Sequence, residues 1–325
     1  MTRVGSARRK IFSYGCSAFL LAMIVLASVG CSKSQQSAAT GEAPGVPQTF
    51  ASADLAAQAI YAGAKAGDTN VLLVIFGSGA KELLLSGDPV QDKAALATFT
   101  RQYDEMHRWA KLTHGGLVLD VGAENYPFPF ALKQNAGGQW YFDADSAKDE
   151  ILARRIGGNE LSTIDVLNAM SVAQSEYFNT AHDGVKAHAY AQKFVSDEGK
   201  QNGLYWQVAE GDTDSPLGPL AAFASSEGYS NASQESQPYH GYFFRMLTSQ
   251  GSQAHGGAKN YLVNGNMTGG FAILAFPAEY GNSGVMSFLI NQDGNVLQKD
   301  LGADTADVAK AITSFNPDST WTPVE

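Results

Sequence analysis

Asn159-Glu160-Leu161-Ser162-Thr163-Ile164-Asp165-Val166-Leu167-Asn168-Ala169-Met170-Ser171-Val172-Ala173-Gln174-Ser175-Glu176-Tyr177 is the stretch whose period decides the architecture. Val166, Leu167, Met170, Ala173 and Tyr177 share one face at helical spacing. Asn159 stands where an N-cap is expected, and His182-Asp183-Gly184 breaks the pattern. A second, short helix is expected to carry Ala187, Tyr190, Ala191 and Phe194. Residues 211–238 read as a long polar connection with one apolar patch at 217–223. Then the period changes. Residues 242–248, 260–263, 271–276 and 285–290 have strand character, and 295–299 closes a hairpin through Asn291-Gln292-Asp293-Gly294. Asp304 is expected to cap a final helix with Val308, Ile312 and Phe315 inward.

Upstream, residues 48–150 read as a smaller α+β unit. Residues 52–66 are helical in pattern, with Ser52 as N-cap and Gly67-Asp68 as the stop. Residues 71–76 form an apolar run that suits a strand or a buried helix, and 81–85 a helical turn. Residues 92–111 are expected to be one helix, with Leu96, Phe99, Tyr103, Met106 and Trp109 along one side. Strands are expected at 116–121, 128–132 and 139–143, the last two joined by Asn135-Ala136-Gly137-Gly138. Helices followed by a small meander resemble an NTF2-like or cystatin-like half-cone, an analogy of fold alone.

The chain opens on an address. Arg3, Arg8, Arg9 and Lys10 precede an apolar run over residues 11–29, which closes on Gly30-Cys31. Basic head, apolar run and small residue in that order are the anatomy of an export signal. Cys31 resembles the lipid-acceptor cysteine of bacterial lipoproteins. Val29 and Gly30 suit the small-residue positions of that motif; Ser28 departs from it, and Leu26 lies two positions further back than usual. An uncleaved anchor, cleavage without lipid and a twin-arginine leader are the other readings, and every one of them puts the body outside the cytoplasm. Ser32, where an inner-membrane retention signal has aspartate, favours the outer membrane, facing the periplasm. Residues 31–47 hold almost no large apolar side chain and read as a flexible tether.

Of 22 Lys and Arg, four lie in the leader, so 18 bases face 32 acids beyond it, a net charge of −14. Such a surface repels phosphate backbones and anionic headgroups. Nucleic acid is excluded as a partner, and membrane contact falls to the N-terminal anchor. Cys16 and Cys31 are the only cysteines, so a cleaved, acylated chain has no free thiol and no disulfide. Thiol catalysis and cysteine-based zinc sites are excluded with them.

No motif names a chemistry. Gly77-Ser78-Gly79-Ala80-Lys81 lacks the phosphate-loop spacing, and Glu82 stands where a dinucleotide fingerprint needs its third glycine; a turn is the better reading. His182, Asp183 and His188 follow no ligand spacing, so no metal and no cofactor is expected. Asp143, Asp145, Asp149 and Glu150 suit the start of a helix better than a pair of catalytic carboxylates. No Gly-x-Ser-x-Gly elbow occurs. Tyr205, Trp206, His240 and Arg245 lie in Gly-bounded segments and would form an aromatic pocket if the fold brought them together, suited to a sugar or peptide.

Two resemblances remain. Asn159-Glu160-Leu161, Ile164-Asp165-Val166-Leu167 and Ala173-Gln174-Ser175-Glu176-Tyr177, with Gly241-Tyr242-Phe243-Phe244 and Gly284-Val285-Met286-Ser287-Phe288, resemble the long helix and sheet of type IV pilin and pseudopilin soluble domains. About 130 residues separate the leader from that helix, a departure from pilins that argues against filament assembly by their route. Over most of its length the chain also resembles an uncharacterised bacterial family, domain of unknown function 2950. The matching stretches are Ser86-Gly87-Asp88-Pro89-Val90, Tyr126-Pro127-Phe128-Pro129, Arg155-Ile156-Gly157, Gly203-Leu204-Tyr205-Trp206, Ser215-Pro216-Leu217-Gly218-Pro219-Leu220, Tyr239-His240-Gly241-Tyr242-Phe243-Phe244-Arg245 and Asn264-Gly265-Asn266-Met267-Thr268-Gly269-Gly270-Phe271. That family brings no activity with it.

The expected whole is an α+β chain: signal 1–30, tether 31–47, a helix-plus-meander domain 48–150 and a pilin-like domain 151–325, its long helix packed on an antiparallel sheet. The expected role is a lipid-anchored, non-enzymatic binding or assembly module with an envelope partner. The alternatives are an envelope hydrolase using His240 with nearby carboxylates, or a carrier of a small ligand in the first half-cone.

Overall fold

Ser52 accepts a hydrogen bond from the Leu55 amide and starts α1 (Ala53–Ala66), which Gly67 closes in the left-handed conformation. This computed structural model describes residues 45–183, 188–208, 213–230 and 237–324. The expected signal, the lipid-acceptor Cys31 and all but the last residues of the tether lie outside the described residues. The ambiguous apolar run is a helix, α2 (Thr69–Phe76), because Asp68 caps it through the Asn70 and Val71 amides. A 3-10 turn over Ser78–Ala80 leads into α3 (Lys81–Leu84). Helix α4 (Pro89–Glu105) follows.

The helix expected over 92–111 stops early. Met106 is extended, and β1 (His107–Lys111) pairs antiparallel with β2 (Leu117–Val121). Trp109 therefore lies on a strand opposite Leu119; cross-strand pairing has overridden helical spacing. Strands β3 (Tyr126–Pro127), β4 (Ala131–Gln134) and β5 (Trp140–Asp143) complete a five-stranded antiparallel sheet, ordered β1-β2-β4-β5 with β3 beside β2. Of the stretch expected as a strand at 128–132, Ala131 and Leu132 pair with β5 and the Phe128 amide donates to the Leu119 carbonyl of β2, while Pro129 and Phe130 belong to no strand. Asn135 holds the β4–β5 turn by accepting from the Gly137 and Gln139 amides. The helices and sheet enclose a first core around Ile60, Ile75, Phe76, Leu119, Leu132 and Phe142.

The long helix, α5, runs Lys148–Phe178. It begins eleven residues before Asn159, so Asn159 is a buried mid-helix residue and not an N-cap. Asp149 and Glu150 occupy its first turn, where negative charge is favourable. The expected boundary at 150/151 falls inside this helix. Ile151 and Leu152 pack on the first core; Val166, Leu167, Met170, Ala173 and Tyr177 are buried in a second.

Two expectations fail in the middle of the chain. Residues 188–194 form no helix. The buried Gln174 amide brackets Ala191, accepting from its N–H and donating to its C=O, both at 2.9 Å, and so holds that backbone extended. The patch expected within a loop is helical: α6 (Gly218–Glu227) ends on left-handed Gly228.

Strand β6 (Tyr242–Leu247) opens the second sheet. Two short ribbons follow, β7 (Ser249–Gln250) with β8 (Lys259–Asn260), and β9 (Leu262–Val263) with β10 (Asn266–Met267). Strands β11 (Ala272–Pro277), β12 (Met286–Asn291), β13 (Leu297–Asp300) and β14 (Thr322–Pro323) complete an antiparallel sheet ordered β14-β13-β12-β11-β6. Ala272, Ile273, Leu274 and Ala275 are all fully buried. Successive strand residues face opposite sides, so β11 is covered on both faces. Helix α7 (Thr305–Ala311) turns Thr305 and Ala309 inward, while Val308 is exposed, a correction to the expected face. Seven α-helices and two five-stranded antiparallel sheets among the described residues make the chain α+β. No helix among those residues is long and apolar enough to cross a membrane.

Candidate functional site

Ser86-Gly87-Asp88-Pro89-Val90 is a helix start built with unusual care. Ser86 Oγ accepts from the Asp88 amide at 3.2 Å, Gly87 takes φ +84°, and Pro89 sits in the first turn of α4. Asp88 Oδ1 accepts from the Val90 and Gln91 amides, at 3.1 and 3.2 Å. Its Oδ2 turns away and accepts from Tyr229 Oη at 2.7 Å and the Gly241 amide at 3.0 Å. One fully buried carboxylate thus joins the start of α4, the end of α6 and the start of β6. Burial, and then the carboxylate beside it, push the Tyr229 hydroxyl far above the usual tyrosine range, so it stays a donor.

Tyr239-His240-Gly241 completes this joint. His240 has φ +49°, and its Nε2 lies 3.1 Å from Glu227 Oε2, which also accepts from Tyr239 Oη at 3.3 Å. Gly241 has φ +75°, and a Cβ there would come within 2.6 Å of Asn159 Nδ2. Only glycine satisfies both conditions.

Helix α5 supplies the opposite wall. Asn159 Nδ2 donates to the Ser283 carbonyl at 2.8 Å, and Asn159 Oδ1 accepts from Gln91 Nε2 at 2.8 Å. One turn earlier, Arg155 donates to the Glu82 and Leu83 carbonyls at 2.8 and 2.6 Å, filling carbonyls that α3 leaves unpaired, and to Asn282 Oδ1. Arg154 is matched by Glu150 at 2.6 Å and also donates to Tyr126 Oη. Asp92 Oδ1 accepts from the Ser86 amide at 2.9 Å; burial raises its carboxyl above the usual range, against the pull of that bond and of Arg155.

Part of this network, from Ser86 and Gln91 to Arg155, Asn159 and His240, lines a cavity of about 500 Å³. Its inner wall is apolar, with Ile60, Leu72, Phe76, Phe99, Phe128 and Phe130; Phe76 and Phe130 ring centroids are 4.3 Å apart. Its polar end carries Ser86, Gln91, Asp92, Arg154, Arg155, Asn159 and His240. An apolar body with a few convergent polar groups, at this volume, is the form of a small-molecule site.

The four residues singled out from sequence are placed apart. His240 lines this cavity, and Tyr205, Trp206 and Arg245 do not. Tyr205 joins Leu217, Tyr229 and Tyr239 around a much smaller hollow. Trp206 is buried beside the His182 ring and donates to the Thr213 carbonyl at 3.2 Å. Arg245, on β6, donates to the Ala309 and Ile312 carbonyls at the end of α7, where a cation is favourable. His182 stacks on Tyr177, Asp183 accepts from the Gln201 amide at 2.7 Å, and His188 packs against Phe178. No group of three His, Cys, Asp or Glu among the described residues is gathered for a metal. Sequence reasoning missed Gln91, Arg155 and Asn159 as wall residues. Ser86-Gly87-Asp88-Pro89, Phe128, Arg155 and His240 stand in four separate stretches singled out above, and that was the available signal.

An α+β body with an apolar cavity walled on one side by a long helix is the class of protein that fold and site define. The chain belongs to the family described as Protein of unknown function (DUF2950), whose sequence model matches residues 47–324. No curated protein matches the chain, and no solved structure matches it.

Proposed function

We propose that this is an extracytoplasmic, lipid-anchored binding module, held in the outer membrane through Cys31 and facing the periplasm, which carries a small apolar ligand in its cavity. The observation that carries the reading is the cavity itself: a phenylalanine-rich wall, and a polar end whose side chains are fixed by hydrogen bonds. Fixed walls lower the ordering cost of binding. The helix-plus-meander half suits an NTF2-like or cystatin-like carrier domain, and the long helix against a sheet suits a pilin-like module that meets an envelope partner. His240 beside Glu227 supports a second reading, a hydrolase with a carboxylate-oriented imidazole.

The test uses Gly158, which lines the cavity and has open space where a Cβ would stand. An apolar fluorescent probe is expected to bind the full chain and to lose at least tenfold in affinity in Gly158→Trp, with melting unchanged. Equal binding by the two proteins overturns the cavity reading. Ester turnover that vanishes in His240→Asn, a residue tolerant of positive φ, moves the assignment to the hydrolase. Labelled palmitate entering the wild type but not Cys31→Ala tests the anchor.

A further inference from the structure

The wall of the cavity reverses the charge of the molecule. Beyond the leader 18 bases face 32 acids, yet the wall carries two guanidiniums, Arg154 and Arg155, against one carboxyl, Asp92. The remaining titratable group there, His240, is matched by Glu227. The two arginines are held differently. Arg154 meets Glu150 at 2.6 Å with both side chains more than half exposed, a pair that water screens and that contributes little. Arg155 is half-buried, and no carboxylate lies within 4.0 Å of it among the described residues. Three of its five N–H groups go to the Glu82 and Leu83 carbonyls and to Asn282 Oδ1. Its Nε has no partner among those residues and is not sealed from water. Burial works against its charge, and Asp92 and Glu279 support it only from beyond ion-pair distance. Both carboxyls are engaged elsewhere, Asp92 by the Ser86 amide and Glu279 by Asn282 Nδ2 at 2.8 Å. A desolvated cation with no counter-ion in contact is costly, and a bound anion offsets that cost.

We propose that the ligand is an anionic amphiphile: an apolar chain or ring against Phe76, Phe99, Phe128 and Phe130, and a head with a single negative charge, such as a carboxylate, that takes Arg155 as its counter-ion with Arg154 beside it. This rests on the cavity being a binding site. A planar guanidinium matches a carboxylate, and apolar walls strengthen the attraction between them. A cationic head would meet two arginines against one carboxyl. An uncharged head would leave Arg155 unmatched.

Three probes with one ten-carbon tail separate these cases: decanoate, 1-decanol and decyltrimethylammonium. Binding is measured to the full chain carrying Cys31→Ala, and Gly158→Trp in that background defines the signal from outside the cavity. Decanoate is expected to bind about tenfold more tightly than decanol, the size of one hydrogen bond to a charged group, and more tightly still than the cation. Adsorption to the acidic outer surface would favour the cation instead. The ratio of decanoate to decanol affinity should fall to about one in Arg155→Gln and rise in Asp92→Asn, which keeps an acceptor for the Ser86 amide. A loss of folded protein lowers both affinities together and leaves the ratio unmoved. Decanol binding as tightly as decanoate, preference for the cation, or a ratio unchanged in both variants overturns the head-group assignment and leaves the cavity reading standing. Three probes that bind Gly158→Trp as well as its parent overturn the cavity reading itself.

Discussion

At the scale of single residues, Asp88 carries the largest structural role for its size. It caps α4 and also accepts from Tyr229 and Gly241, four bonds to one carboxylate with no exposed surface. Removing it takes away a helix cap and leaves a buried hydroxyl and a buried amide unpaired. Asp88→Ala is expected to cost about 3 kcal/mol or more, read as a lowered urea midpoint with an unchanged denaturant slope. The helix is expected from Asp92, so the cap went unread, although Asp-Pro ahead of a helical run is a start signal. The other half of its role was not legible at all, because Tyr229 and Gly241 lie 141 and 153 residues away. Asn159 shows the same limit. Its residue type suggested a cap, and burial against Gly241 and Ser283 made it a mid-helix hydrogen-bonding hub.

At the scale of elements, α5 carries adjacent glycines, Gly157 and Gly158, in its interior. Neither meets another group where a Cβ would stand. Helical glycine is entropically expensive, so Gly157→Ala is expected to stabilise the protein by about 0.5–1 kcal/mol, a rise in Tm that calorimetry would show. No change, or a loss, would overturn that expectation. The stripe from Val166 to Tyr177 was readable because a core-facing helix repeats its apolar residues locally. The strand at His107–Lys111 was not, because Trp109 fits a helical face as well as it fits a place opposite Leu119, and only the partner strand decides. The same holds for residues 188–194, where Gln174 supplies hydrogen bonds that a helix would have made internally.

At the scale of the whole molecule, two hydrophobic cores share α5 and a polar seam through Asp88, Arg155 and Asn159. The four tryptophans report on them evenly. Trp109 and Trp140 pack on the first core, Trp206 and Trp321 on the second. With the seam hydrogen-bonded and the helix continuous, the two cores are expected to unfold together. Variants keeping one tryptophan pair each should show coincident urea transitions; separated midpoints would show two independently folding domains. The sequence by itself determined the α+β class, the helix start at Ser52, the apolar stripe of the long helix, most strands of the second sheet and the family. Each of these depends on neighbours within a few residues, where period, cap and turn chemistry act. Only the tertiary structure decided that Gln91, Arg155 and His240 share one cavity while Tyr205, Trp206 and Arg245 face elsewhere. Those placements depend on hydrogen bonds between residues far apart in the chain, and local pattern carries no record of which distant group a side chain will meet.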